Sequence, residues 1–378
     1  MFAFWREPID YKQKSTGLGA KTTLSKTRIY MQELQNFDQR GAIVPKSRPK
    51  KPSISAKKVA ELAGVSRSAV SRTFTDGASV SRGTRAKVLA AAQKLGYHVN
   101  HLARGLIQHR SGIVCLIVED LDAPHQAAFV QAATRRLQAN GMVVMVLNTA
   151  GKPADVETAL RQTLNYRADA TIVLSGNPPL AQIKTCLENG QRVILIDHDD
   201  LIDGADCIFV DHQSTAQQAY LILRRAGCTR LAVLSHLTGN SSAALERAFI
   251  DAAAADGMSV IANRVGKTGY AAGVNAARQL LAAPTRPDGV FCVNDLMALG
   301  AMDVARIEFR LAIPHDLCVL GFDDIPEAGW LGYGLTTFRQ PIQEITDYIG
   351  TLLENEDPDP PPSKHLPAQV VWRGTVRP

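Results

Sequence analysis

The sequence predicts an all-α helix-turn-helix unit followed by a larger α/β core built from two consecutive parallel-sheet series. Three observations lead there. Residues 59–76 read VAELAGVSRSAVSRTFTD, two short helical runs around a glycine break. From Ser111 onward, apolar strand-like runs alternate with amphipathic helical runs, which is the pattern of repeated β-α-β units. The charge is also divided: residues 1–51 carry 11 Lys/Arg against 4 Asp/Glu, residues 52–110 carry 10 against 2, and residues 111–378 carry 21 against 30.

The helical unit spans about residues 52–98. Val59, Ala60 and Leu62 lie at helical spacing and give the first helix one apolar face. Ala63, Gly64 and Val65 break it. Ser66 follows as a good N-cap, because its hydroxyl accepts a hydrogen bond from a free first-turn amide. The second helix, residues 67–74, turns Ala69, Val70 and Thr73 inward and leaves Arg67, Ser68, Ser71 and Arg72 outside. Such a capped second helix with exposed Arg and Ser fits a DNA major groove. A third helix is expected over Arg82–Leu95, with Val88, Leu89, Ala92 and Leu95 on one side and Gly96 ending it.

Residues 1–51 have no sustained period and read as a flexible basic N-terminal extension. Residues 99–110 contain NHLARGLIQ, a basic, partly apolar linker. It is too short to hold a helix alone in water, though it can form one against a partner.

In the core, strands are expected at residues 113–118, 143–147, 170–174, 193–196 and 208–210, with helices at 127–139, 155–166, 180–188 and 215–225. The second series takes strands at 231–234, 259–265, 290–293 and 318–321, with helices at 243–255, 271–281 and 295–307. Parallel sheets of this kind bind ligands beyond the C-terminal ends of their strands. Those ends carry residues 119–122, Ser175, Asp197, His198, Ser235, Asn294, Asp295 and residues 322–324.

The net charge is +6, and a basic end on an acidic body points to a polyanion met by the N-terminal part alone. Six cysteines occur without a C-x-x-C pair and mostly in or beside apolar runs, so buried free thiols are expected rather than disulfides or a zinc site. No apolar run reaches the ~18–20 residues of a membrane span, and MFAFWREPID does not read as a secretion signal. A soluble, cytoplasmic protein is expected. The core has no G-x-S-x-G elbow, no P-loop and no G-x-G-x-x-G after a strand, so neither an enzyme nor a cofactor is expected. His125, His198 and the His98/His101 pair have no third partner at metal-ligand spacing, and no metal is expected.

VAELAGVSRSAVSR, SRGTRAKVLAAAQKLGY, LARGL, VNDLMALGA, GFDDIP and LTTFRQP occur in that order. On these strings the chain resembles the LacI/GalR (lactose/galactose repressor) family of bacterial transcription regulators over roughly residues 54–378. The resemblance implies a helix-turn-helix DNA-binding domain at 52–98 and a hinge helix at 99–110. It also implies a periplasmic-binding-protein-like core of two doubly wound parallel-sheet lobes at 111–378, which binds effector and dimerises. The implied function is a sequence-specific repressor that binds double-stranded operator DNA as a homodimer and answers to a small-molecule effector, a sugar or related polar metabolite. A regulator of the same fold with a non-sugar effector, acting as co-repressor or activator, remains an open alternative. No leucine heptads near Pro378 suggest a tetramer.

By the same resemblance, Arg67, Ser68 and Arg72 reach base edges, where Arg pairs bidentately with guanine. Lys57, Ser66, Ser71, Thr75 and Asn100 are placed for phosphates. Leu106 matches a minor-groove wedge, with Ala103 and Arg104 beside it. Effector positions fall on His125, Asp197, Ser241, Leu245, Asn294, Asp323 and Gln340. Three departures stand out. Leu245 replaces the arginine common in sugar-responsive members, which removes a bidentate donor. Ala123, Pro124, His125 and Gln126 replace an Asn-Pro-aromatic-aromatic run. Val99 replaces the usual proline before the hinge.

Overall fold

A computed structural model of the chain describes residues 54–75, 77–98, 110–150, 152–174, 178–198, 201–237, 240–266, 268–354 and 363–378. The expected N-terminal extension and the hinge, with Asn100, Ala103, Arg104 and Leu106, lie outside the described residues. The chain divides into two compact units, one up to Val99 and one from Asn100 onward.

Among its described residues the first unit holds three helices, α1 (Ala56–Ala63), α2 (Arg67–Thr73) and α3 (Arg82–Leu95). Gly64 ends α1 and Gly96 ends α3, each at φ 64° in the left-handed region, where the absence of a Cβ removes the steric cost. Val59, Ala60, Val70, Val88, Ala91 and Ala92 form the core, with Phe74, Leu95 and Tyr97 packed against it. Two of the expected core residues are not in it: Leu62 and Leu89 are each 47% exposed. Their positions point past the small three-helix centre, which the alanines of α3 fill instead.

The second unit holds two six-stranded sheets. The first lobe contains β1 (Ile113–Val118), α4 (Pro124–Ala139), β2 (Val143–Asn148), α5 (Pro153–Asn165), β3 (Ala170–Val173), α6 (Leu180–Glu188), β4 (Arg192–Ile196) and β5 (Asp206–Val210). The chain then crosses into α7 (His212–Arg225), β6 (Leu231–His236), α8 (Asn240–Ala255), β7 (Val260–Val265), α9 (Tyr270–Ala282), β8 (Gly289–Cys292), α10 (Asp295–Asp303) and β9 (Cys318–Asp323). A π turn over Val304–Glu308 extends α10. Four further elements close the molecule: β10 (Thr336–Arg339), α11 (Ile342–Glu354), β11 (Ser363–Leu366) and β12 (Gln369–Val371).

The strand orders are β11-β5-β4-β3-β1-β2 and β12-β10-β9-β8-β6-β7. All pairings are parallel except β10 with β12. Both lobes are thus doubly wound parallel sheets, as expected. Several helices begin earlier than their apolar period suggests, because Pro124 and Pro153 open α4 and α5 from the first helical turn, where a missing N–H costs nothing.

The chain passes between lobes three times: after β5, after β10 and after β11. On the first crossing α7 packs on the second lobe, and Tyr220 meets Phe249 of α8 edge-on at 6.3 Å. On the second, α11 returns to the first lobe. There Arg136 of α4 donates to Glu354 at 3.0 Å, and Arg192 donates to the Leu352 carbonyl. Beyond the strand tips of the two sheets lies the candidate site.

Candidate functional site

The helical unit presents one face of α2. Arg67, Ser68, Ser71 and Arg72 are exposed, while Val70 and Thr73 are buried. The Ser66 hydroxyl accepts from the Ala69 amide at 3.2 Å and shares a 2.9 Å hydrogen bond with the Ser68 hydroxyl. Ser66 therefore sets where the helix starts. Arg72 Nε donates to the Ser68 carbonyl at 3.4 Å, which lays its stem along the exposed face. Thr75 Oγ1 donates to the Ser71 carbonyl at 2.9 Å. Arg85 of α3 donates to the Thr73 carbonyl at 3.0 Å and pins the C-terminus of α2. Lys57 is highly exposed and lies 4.0 Å from Glu61, a pairing too exposed to hold it. Among the described residues 54–98 there are eight Lys/Arg and one carboxylate, Glu61. This basic, hydroxyl-bearing face can meet phosphates and base edges together.

In the core, strand ends from both lobes bring five of the seven expected effector residues into one neighbourhood. Asp197 follows β4 at φ 52° and Asp323 ends β9 at φ 121°. Left-handed backbone at non-glycine residues is costly and persists where the surroundings over-determine it, often at binding sites. Asp197 Oδ1 accepts from the Val210 amide at 2.7 Å. Its Oδ2 lies 3.2 Å from His212 Nε2 and accepts from the Ser241 hydroxyl at 3.4 Å. Since Ser241 belongs to α8, that contact joins the two lobes. Asp323 Oδ1 accepts from Gln340 Nε2 at 2.7 Å, and its Oδ2 lies 3.6 Å from His125 Nδ1 of the first lobe. His125, Asp323 and Gln340 line a cleft of about 420 Å³ together with Pro124, Arg339 and Gln343.

Burial sets the protonation here. It pushes the Asp323 carboxyl up to about 8, with the Gln340 hydrogen bond and the His212 charge opposing. Burial drives His125 down to about 4, against the pull of Asp120, Asp197 and Glu119. Both shifts act against an ion pair between His125 and Asp323. Asp324, next in the chain, is held by Arg339 Nε at 2.7 Å and Arg373 Nη2 at 2.6 Å.

The other two expected effector residues make local contacts of their own. Leu245 is 1% exposed and sits in the second-lobe core; an apolar side chain at this point of α8 turns inward rather than to the cleft. Asn294 caps α10, accepting from the Met297 amide at 2.9 Å, while its Nδ2 donates to Thr268 at 2.7 Å. Its amide has one partner at each end. Gln126, in the departing run after β1, accepts from the Glu119 and Asp120 amides at 3.2 and 2.9 Å and so shapes that loop.

His212 escaped the sequence reading. It opens α7 directly behind β5, and its position one residue after the capping Asp211 was the available signal. The side chain is about nine-tenths buried, and its ring meets Phe322 edge-on at 5.8 Å.

A helix-turn-helix unit with a basic reading face, followed by a two-lobed parallel-sheet core with a polar cleft, defines a DNA-binding regulator with a periplasmic-binding-protein-like core. Residues 55–100 match the model for bacterial regulatory proteins of the lacI family, and residues 222–376 match the periplasmic binding protein-like domain. The chain is 30% identical over 292 residues to the HTH-type transcriptional regulator GalR of Escherichia coli K12, covering 76% of this chain and 84% of that protein. It is 29% identical over 300 residues to the ribose operon repressor of the same strain, covering 76% and 88%. Its fold matches the crystal structure of the lac repressor dimer bound to operator and the anti-inducer ONPF, with a TM-score of 0.75 at 24% identity over 86% of this chain and all of that one. The chain belongs to the lacI family of bacterial regulatory proteins. It is a DNA-binding transcriptional regulator and not an enzyme.

Proposed function

We propose that this regulator is a repressor whose grip on double-stranded operator DNA is set by a small molecule held between the two lobes of its core. The observation that carries the reading is the cleft itself. His125 and Asp197 from the first lobe meet Ser241, Asp323 and Gln340 from the second. A ligand touching both sides stabilises one lobe arrangement over another, and it acts on DNA binding only through that difference in affinity. Residues 99–110 serve as the linker that carries the change to the helix-turn-helix domain, residues 52–98. Arg67, Ser68 and Arg72 read bases, and Lys57, Ser66, Ser71 and Thr75 sit at phosphates. Two copies place two reading helices on a two-fold operator, as dimer symmetry requires. Six buried, unpaired cysteines suit the reducing cytoplasm where such DNA is found.

Fluorescence anisotropy on DNA upstream of the regulator's own gene tests this. Binding should prefer that DNA over random duplex and fall steeply with salt as counterions are released. Arg72→Ala should cost about 1–3 kcal/mol, roughly 5- to 150-fold, with relaxed site preference. A flat salt response together with equal binding to random DNA would overturn the reading.

A further inference from the structure

We infer that the second lobe holds a further binding site, outside the effector cleft, for a small organic anion: a carboxylate or phosphate carried on a short apolar body. This goes beyond the effector reading and does not depend on it.

The site is a cavity of about 350 Å³ where the ends of β6 and β7 meet the first turns of α8. His236 ends β6 and Leu237 follows it, Arg264 comes from β7, and Glu246, Arg247 and Ile250 come from α8. Every lining residue belongs to the second lobe, and none of them lines the effector cleft. β6 and β7 stand at one edge of their sheet, whereas β9 and β10, which lead to Asp323 and Gln340, stand towards the other. The Leu237 amide donates to the Val265 carbonyl at 2.9 Å, so the two strands stay paired up to the rim of the cavity. Ligands of parallel sheets sit beyond such strand ends.

Glu246 organises the charge. Its side chain is only 6% exposed. Arg264 Nε donates to its Oε1 at 2.7 Å and to its Oε2 at 3.0 Å, Arg264 Nη2 donates to Oε1, and the Ser235 hydroxyl donates to Oε2. Burial opposes ionisation of this carboxyl, but the bonds from Arg264 and Ser235 and the charges of Arg264 and Arg247 outweigh it and hold the carboxyl below its usual range. Glu246 is therefore an anion at neutral pH, and it faces two guanidiniums. The cavity keeps an excess of positive charge.

The donors that remain belong to those two arginines. Arg264 is 55% exposed, and its Nη1 has no partner among the described residues. Arg247 is exposed and makes no hydrogen bond among the described residues. The pair Glu246–Arg264 alone would satisfy the buried carboxylate, so Arg247 adds a second like charge that the fold does not use. A carboxylate or phosphate matches a guanidinium bidentately and relieves that excess. The rest of the wall is apolar: Leu237 is 68% exposed, and Ile250 and Ala243 line the same space. These side chains cover an alkyl or aryl group, which selects an anion with an apolar body over a bare inorganic ion.

Calorimetry on the full-length protein tests this, at about 0.15 M salt, where loose charge contacts are screened. The probes share one ring: benzoate, phenyl phosphate, benzyl alcohol and benzylamine. At least one anion should bind about tenfold or more tighter than the alcohol and the amine, and the stronger of the two anions tells carboxylate from phosphate. Arg247→Gln, at an exposed position, should weaken that anion about tenfold and leave the thermal midpoint unchanged. Leu237→Glu, which sets a like charge at the rim, should weaken it as well. Arg72→Ala on the DNA-reading face and Gln340→Ala in the effector cleft should leave the anion's affinity as it was. Equal binding of anion and alcohol, tighter binding of the amine, no loss in Arg247→Gln, or an equal loss in Arg72→Ala or Gln340→Ala would overturn the inference. None of these results touches the effector reading, which stands or falls on operator affinity.

Discussion

Asp323 shows how the burial of one carboxyl makes stability depend on pH. Its carboxyl is pushed up to about 8 by burial, far above the roughly 3.9 of an unfolded chain. The folded state therefore holds a proton that the unfolded state gives up, and the stabilising term is present in full below about pH 4. It is lost as pH rises towards 8, with a slope of at most about 1.4 kcal/mol per pH unit. Asp295, fully buried and also raised by desolvation, acts with the same sign. Urea unfolding followed by the fluorescence of Trp330 and Trp372 should show stability falling between pH 5 and 8, and Asp323→Asn should flatten that fall. An unchanged slope in the variant would refute the assignment. Two residues before Asp323, Gly321 has no room for a side chain, because a Cβ there would lie 2.1 Å from Asp295 Oδ1. Asp295 accepts from the Ile325 amide at 2.9 Å and from Thr337 at 2.5 Å, so it cannot step aside without breaking both bonds. Gly321→Ala should destabilise the core by about 3 kcal/mol in the same unfolding experiment.

Among elements, α2 is the most exposed to single changes. It has seven residues, too few to persist without its cap and its neighbours. Ser66 satisfies one first-turn amide, and Arg85 satisfies a carbonyl at the other end. Ser66→Ala should cost about 1 kcal/mol, seen as faster amide hydrogen exchange across α2 with the core unaffected. Exchange that speeds up equally in both units would contradict this local role. The second-lobe sheet edge is tied in a different way. The Thr375 hydroxyl donates to the Val319 carbonyl at 2.7 Å and accepts from the Thr336 amide at 2.9 Å, joining the last residues of the chain to β9 and β10.

For the whole molecule, the division of charge sets how it meets DNA. The basic residues up to 110 and the acidic body beyond favour approach to a polyanion by the first part alone. Sedimentation of the full chain at micromolar concentration should give a dimer that persists at high salt. A concentration-dependent tetramer would contradict the proposed assembly. In the proposed mechanism, a ligand in the cleft acts across the three crossings between lobes. The contacts that would then change, Ser241 with Asp197 and His125 with Asp323, are few and polar.

The sequence by itself determined the helix-turn-helix and the alternating core. Caps, glycine stops and apolar periods are local signals that depend on neighbours a few residues apart: Arg82–Leu95 was legible from its apolar period and from Gly96, which ends it. The strands β10 (TTFR), β11 (SKHL) and β12 (QVV) carry too few apolar residues to read as strands, unlike the equally short ATIV of β3, and they pair on the edges that earlier strands offer. The tertiary structure alone decided what the strand-end residues do. It sent Leu245 into the core, committed Asn294 to capping α10, and brought His212 beside Asp197, 15 positions away in sequence, and against Phe322, 110 positions away. Composition shows which polar groups stand at strand ends. Only the packing of the two lobes decides which of those groups meet.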